Sequence, residues 1–281
     1  MSTAATPSTP LPVRTPSARA KGRHRRPERP ELPEGAPALL LAVPAPASTE
    51  ARQLAEEIAT LIRLEHPGIE VSPAYLTAGE DDGPYTCRGL ADVLTASLEA
   101  GTPPIVVPLS PGPFTELDAV LAPFEGVTLT DTLGPHPLLA EAVHVRLSEA
   151  GLARADRARL FAINTSADGI VLAGAGGPEA LELAEVTAVL LAARLAVPVV
   201  AASLDSAESI AAAVTHLRDT GCVQPALAPY LLGPEVPADA LKAVAEAIDC
   251  ATAEPIGAYA SVARLALGLY LRALGIPAEG L

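Results

Sequence analysis

Leu133-Gly134-Pro135-His136-Pro137 and Ile256-Gly257-Ala258-Tyr259-Ala260 each open the last helix-periodic stretch of one half of this 281-residue chain. Two earlier pairs of segments correspond in the same order. Pro108-Leu109-Ser110-Pro111-Gly112 answers to Pro229-Tyr230-Leu231-Leu232-Gly233. Glu50-Ala51-Arg52-Gln53-Leu54-Ala55-Glu56 answers to Glu179-Ala180-Leu181-Glu182-Leu183-Ala184-Glu185. Matches in one order and at a nearly constant offset mark an internal duplication. The repeat is too long for a solenoid unit. Two similar lobes facing one another across a cleft are its natural product.

Within each copy, short apolar runs alternate with helical patterns. Residues 38–43 form a continuous apolar run, as a strand buried on both faces would. Ser48 or Thr49 can cap the next helix, on which Leu54, Ile58, Leu61 and Ile62 share a face. Strands are predicted at 69–76, 105–109 and 127–129, and helices at 87–100, 116–121 and 137–150. The second half repeats the plan, with strands at 170–173, 197–201 and 223–228. Its helices run over 178–195, from Ser206 to Gly221, over 238–248 and over 259–274. Pro178 suits a first helical turn, and Gly275 followed by Pro277 suits a helix end. Strand–helix alternation implies right-handed crossovers and mainly parallel sheets. The expected fold is α/β: two tandem similar lobes with a ligand cleft between them. The expected boundaries are a basic Pro-rich tail at 1–36, an N-terminal lobe at 37–155 and a C-terminal lobe at 156–281.

Composition narrows the class. Hydrophobic residues make up 49% and aromatics only 3%, with no Trp. The core must therefore be built from Ala, Val, Leu and Ile, which suits parallel sheets under Ala-rich helices. The net charge is -14, yet Arg14, Arg19, Lys21, Arg23, Arg25, Arg26 and Arg29 all sit in the tail. The body is thus more acidic than the total, which argues against nucleic acid as the main ligand. The tail has almost no large apolar residues and cannot offset its ordering entropy. Cys87, Cys222 and Cys250 form no C-x-x-C pair and read as thiols in a reducing compartment. Pro and Arg occupy the N-terminus where a secretory signal carries its apolar core, so a cytoplasmic location is expected. The longest apolar stretch, 188–202, is interrupted by Arg194 and Pro198, and no membrane partner is expected.

Val106-Val107-Pro108-Leu109-Ser110-Pro111-Gly112, followed by Leu133-Gly134-Pro135-His136-Pro137-Leu138-Leu139, resembles the bilobal sirohydrochlorin chelatases, the class II cobalt and iron chelatases. Pro255-Ile256-Gly257-Ala258-Tyr259 resembles the family's closing Leu-Gly-x-His motif with Tyr in place of His. The resemblance spans roughly residues 38–274. It implies a tetrapyrrole ligand in the cleft and insertion of Co²⁺ or Fe²⁺ into it, a lyase reaction of cobalamin or sirohaem biosynthesis. The metal would be a substrate, and no cofactor is needed. Two imidazoles and a carboxylate would bind the ion and take the pyrrole protons.

The chain departs from that pattern at both histidines. In Val43-Pro44-Ala45-Pro46-Ala47-Ser48, Pro44 stands at the first histidine position. In Ser110-Pro111-Gly112-Pro113-Phe114, Phe114 stands at the second. Proline has no side-chain acceptor, and Phe offers only a ring face. Glu80, followed by Asp81 and Asp82, and His136 remain as candidate catalytic groups; no metal ligand set is assigned. Pro44, Ser110, Gly112, Phe114 and Tyr259 are the expected substrate-cleft residues, with Pro44, Phe114, Glu80 and His136 lining one cleft. His136, ahead of Pro137, also fits a helix cap. His66, His144 and His216 read as surface or helix-flank residues, and His24 belongs to the tail. The turn Ala173-Gly174-Ala175-Gly176-Gly177-Pro178 lacks the Lys-Ser/Thr of a phosphate-binding loop and reads as the second copy of the first turn. Two functions stay open: a chelatase with a rearranged site, or a degenerate homologue that binds tetrapyrrole or a partner without inserting metal. A third, an unrelated periplasmic-binding-type or Rossmann-like module, is disfavoured by the duplication and the Gly-Pro-His-Pro element.

Overall fold

The computed structural model describes residues 32–79, 88–153 and 167–277. The first half runs β1 (Leu39–Val43), α1 (Thr49–Glu65), β2 (Val71–Tyr75), α2 (Leu90–Glu99), β3 (Ile105–Pro108), α3 (Thr115–Leu121), β4 (Thr128–Leu129) and α4 (Pro137–Glu149). The second runs β5 (Gly169–Gly174), α5 (Pro178–Leu195), β6 (Val199–Ser203), α6 (Ala207–Asp219), β7 (Pro225–Pro229), α7 (Ala238–Ala247), β8 (Ala251–Thr252) and α8 (Ala260–Ala273). The sheets are ordered β2-β1-β3-β4 and β6-β5-β7-β8. Every pairing is parallel, with Leu39 opposite Val71 and Ile105, and Ile170 opposite Val199 and Ala226. The two orders are one topology used twice, as the duplication predicts. Strand β8 has no counterpart among the expected elements.

Local chemistry explains the element ends. Ser48 caps α1 by accepting from Ala51 N at 3.1 Å, and Ser206 caps α6 by accepting from Ser209 N at 3.2 Å. Pro178 sits in the first turn of α5, where a missing N–H costs nothing. Pro73 lies in β2, at a sheet edge, where no ladder bond is lost on the outer side.

Side chains alternate between two environments along each central strand. Leu39, Leu41 and Val43 join Ile170 and Leu172 in one large apolar cluster, with α1, α4, α5 and α8. Leu40 and Ala42 face a separate cluster with α2 and α3, while Val171 and Ala173 face one with α6. Four helices therefore fill the space between the two sheets, and the remaining helices cover their outer faces. Within the middle layer the last helices are exchanged between halves. Helix α8 packs on α1 and β3 of the first half, and α4 packs on α5 of the second. The hydroxyl of Tyr270, on α8, donates to the Pro37 carbonyl at 2.7 Å, and Arg264 pairs with Glu65 of α1 at 3.0 Å.

The exchange corrects one expectation. His144 is not a surface residue: it is buried in the α4–α5 contact, where Arg194 Nε donates to its Nδ1 at 2.9 Å. Helical spacing alone placed it on a flank, because the covering helix comes from the other half. Among the described residues, no helix is long and apolar enough to cross a membrane.

Glycines let the halves approach closely. A Cβ on Gly134 would run into the Pro111 carbonyl and lie 2.6 Å from the Tyr230 hydroxyl. Gly134→Ala should therefore lower stability by about 1–3 kcal/mol in denaturant melts, since backbone must move. Gly268→Ala, which meets nothing within 4 Å on α8, should be neutral or stabilising by up to about 1 kcal/mol. Equal melts for the two variants would show that the seam is loose.

Candidate functional site

The C-terminal ends of parallel strands leave a crevice wherever neighbouring connections diverge. Here the residues after β3 and β4 and the first turns of α3 and α4 form one wall. Helices α5 and α8 of the second half form the other. The cleft between them holds about 710 Å³. Leu129, Leu133, Leu138, Leu183, Leu265 and Leu269 give it an apolar floor. Asp118, Thr130, Asp131, Thr132, His136, Glu179, Arg264 and Arg272 supply its polar groups. Arg264, Gly268 and Arg272 recur at every fourth position of α8, which puts them on one helix face.

His136 is held at the start of α4. Its Nδ1 accepts from Leu138 N at 3.1 Å, so the helix is capped by the imidazole itself. With Nδ1 used as acceptor, the neutral ring carries its proton on Nε2. Partial burial, and then the charge of Arg272, hold the ring below the ordinary histidine range. On the acidic side, partial burial and then the Glu179 carboxylate raise Asp118 above the usual aspartate range. Arg272 has no carboxylate partner among the described residues, whereas Arg264 is engaged with Glu65.

A second, far smaller cavity lies at the ends of β3, β5 and β7, bordered by Ser110, Gly112, Phe114, Gly174, Tyr230 and Glu235. Its polar groups are already committed. Ser110 Oγ donates to the Gly112 carbonyl at 2.7 Å, and the Tyr230 and Thr187 hydroxyls share a hydrogen bond of 2.8 Å. Glu235 accepts from Leu232 N at 2.8 Å and Gly233 N at 2.6 Å. Burial nonetheless pushes its carboxyl above the usual range. Nearby, Asp205 accepts from Gly176 N at 3.0 Å and Gly177 N at 2.9 Å. The N-terminus of α5 thus holds a side-chain carboxylate where a phosphate-binding loop would hold its ligand.

The residues singled out from the sequence fall in different places. His136 lines the large cleft. Ser110, Gly112 and Phe114 border the small cavity. Pro44 is buried in the turn after β1, flanked by the Val43 and Ala45 carbonyls that both accept from Leu76 N. Pro44 lines neither cavity. Tyr259 sits at the joint between α4 and α8, its hydroxyl donating to Glu149 at 2.9 Å and its ring under the Arg146 guanidinium. Burial, with that hydrogen bond, pushes its phenol up to about 12. Glu80, Asp81 and Asp82 lie outside the described residues. Asp118, Glu179, Arg264 and Arg272 were not singled out from the sequence. The four-residue spacing of Arg264, Gly268 and Arg272 was the available signal.

No family model matches the chain, and no curated protein matches it. Among solved structures, one similar chain is a periplasmic solute-binding protein of an ABC transporter from Actinobacillus succinogenes 130z with bound D-allose. It is 12% identical, with a TM-score of 0.31, covering 68% of each chain. Another is a periplasmic ribose ABC transporter protein from Conexibacter woesei DSM 14684. It is 11% identical, with a TM-score of 0.32, covering 68% of this chain and 64% of that one. Likenesses this slight bring no ligand to the present chain.

The chelatase resemblance is corrected by these findings. No family model and no curated protein bears it out, and the described residues hold no group of three or more His, Cys, Asp or Glu side chains suited to a metal ion. Physical reasons agree. The Arg272 charge beside His136 opposes a divalent cation there, and Phe114, the ring expected to stack on a tetrapyrrole, lies outside the large cleft. Metal insertion, tetrapyrrole chemistry and the cobalamin and sirohaem roles are withdrawn with it. What stands is a two-lobed α/β chain with a parallel sheet in each lobe and a cleft between them.

Proposed function

We propose that this protein binds a small polar organic molecule reversibly in the large cleft. The observation that carries this reading is the lining of the cleft. Both halves of the chain contribute to one space of about 710 Å³, with a leucine floor and charged groups of both signs around it. That volume lies within the usual range for small-molecule sites, about 300–1,000 Å³. Apolar contact supplies affinity, and a few convergent polar groups fix orientation. The Thr130 and Thr132 hydroxyls donate to the Asp131 and Gly134 carbonyls at 2.9 and 3.2 Å, which leaves their lone pairs as acceptors. His136 brings a donor at Nε2, and Arg272 brings a positive charge with no ion-pair partner among the described residues.

Occlusion tests the reading. Gly268 lies on the cleft face of α8 with open space beside it. Gly268→Leu should leave the melting temperature within a few degrees of wild type while abolishing thermal shifts produced by bound small molecules. A panel of sugars, amino acids, organic acids and nucleosides that shifts both proteins alike, or neither, would contradict a site in this cleft.

His136 gives a pH signature. Protonated imidazole cannot accept from Leu138 N, and its folded pKa is depressed, so the neutral ring stabilises the fold. That contribution is present above the ordinary value of about 6.5 and is lost as pH falls through the folded pKa. The cap is worth on the order of 1 kcal/mol. Nitrogen-15 NMR titration should place His136 below the ordinary histidine value, and Arg272→Gln should move it upward. His136→Asn, which can cap but cannot titrate, should flatten this part of the acid-side stability loss. An unchanged His136 titration in Arg272→Gln would show that the two do not share the cleft wall.

A further inference from the structure

Four of the six ionisable groups that line the cleft fall into two pairs. His136 and Arg272 make one pair, close enough that the Arg272 charge disfavours a proton on the imidazole. Asp118, on α3 of the first half, and Glu179, on α5 of the second, make the other, each carboxylate facing a like charge across the seam. All four line the same cavity. No ion pair joins Arg272 to Asp118 or Glu179 among the described residues, and none of the four has a salt-bridge partner there. The Asp118–Glu179 repulsion and the Arg272 charge add nothing to stability as they stand, and the neutral His136 ring sets an N–H donor beside that charge. One molecule bearing a negative and a positive group would relieve both at once through charge-assisted hydrogen bonds.

We propose that the cleft is built for a zwitterion: a small molecule whose carboxylate meets Arg272 and the Nε2–H of His136, and whose ammonium meets Asp118 and Glu179. This rests on the reading of the cleft as a small-molecule site and names the class of ligand. The leucine floor between the poles suits an aliphatic segment joining the two charged ends. Among the described residues no Phe, Tyr or Trp lines the cleft, so it offers no aromatic platform of the kind that stacks on a sugar face. Because the anionic pair is drawn from opposite halves, an ammonium between Asp118 and Glu179 also ties the lobes together.

Calorimetric titration tests this with straight-chain ω-amino acids of increasing length. Each is compared with the carboxylic acid and the amine that lack one charge, and with neutral polyols. One length should bind at least roughly tenfold more tightly than either singly charged analogue. Arg272→Gln should weaken that ligand by a similar factor. Asp118→Asn with Glu179→Gln should erase its advantage over the carboxylic acid while leaving the acid's own affinity in place. All three positions are exposed, and unchanged melting temperatures would show that the variants fold. Tighter binding of a polyol, acid or amine than of any zwitterion, still blocked by Gly268→Leu, would overturn the zwitterion while sparing the small-molecule cleft. Zwitterion affinity indifferent to Arg272→Gln and to the double carboxylate variant would overturn it equally. Silence from the whole panel would remove both readings.

Discussion

The last helix of each half buries its apolar face against the other half, and the rest of the molecule is arranged around that exchange. Helices α1, α4, α5 and α8 form one continuous apolar layer between the two sheets. Ile58, Ile62, Leu139, Leu147, Leu191 and Leu267 are all essentially inaccessible within it. Full burial of one such side chain contributes about 1.5–3 kcal/mol. A handful of them therefore matches the roughly 5–15 kcal/mol by which whole domains are stable. Neither half could bare this layer and keep its fold. The polar links follow the same pattern. Arg146 Nε donates to the Ile256 carbonyl at 2.8 Å, and Tyr270 reaches the backbone at Pro37.

The cleft is a consequence of this layer. Because α8 crosses to the first half, its Arg264–Gly268–Arg272 face looks onto the loops after β3 and β4. Because α5 begins beside the loop that follows β3, Glu179 comes to face Asp118. The close approach is set by Gly112, whose missing Cβ would lie 3.3 Å from Ala180. Its counterpart Gly233 stands in the same way against Leu54 of α1. Each half thus presents its loop glycine to the first helix of the other. The smaller cavity nearby is closed by hydrogen bonds that satisfy its own groups, whereas in the larger cleft Asp118, Glu179 and Arg272 have no ion-pair partner among the described residues. Binding chemistry belongs where polar groups lack partners within the protein.

Much of the fold was legible in the residues. The runs at 38–43 and 170–173 read as strands and fall in β1 and β5, and Ser48, Ser206 and Pro178 stand at helix starts as their chemistry requires. The duplicated motifs announced the repeated topology. The exchange of α4 and α8 was not legible, because periodicity reports which face is apolar and not which partner covers it. For the same reason His144 read as a flank residue. The site was harder still. Asp118, Glu179 and Arg272 lie far apart in sequence and in ordinary helical contexts, and only the crossing of the halves brings them to one space. The Leu-Gly-Pro-His-Pro string carried a family resemblance that no family model and no curated protein bears out. It has reasons of its own: Gly134 admits the Pro111 carbonyl and the Tyr230 hydroxyl, and His136 caps α4. A motif can recur because a seam needs it, whatever the seam binds.

Differential scanning calorimetry of the full chain tests the shared layer most directly. With the four helices in common between the sheets, the chain should melt in a single transition whose calorimetric and van't Hoff enthalpies agree. Two separable transitions, one for each half, would contradict it.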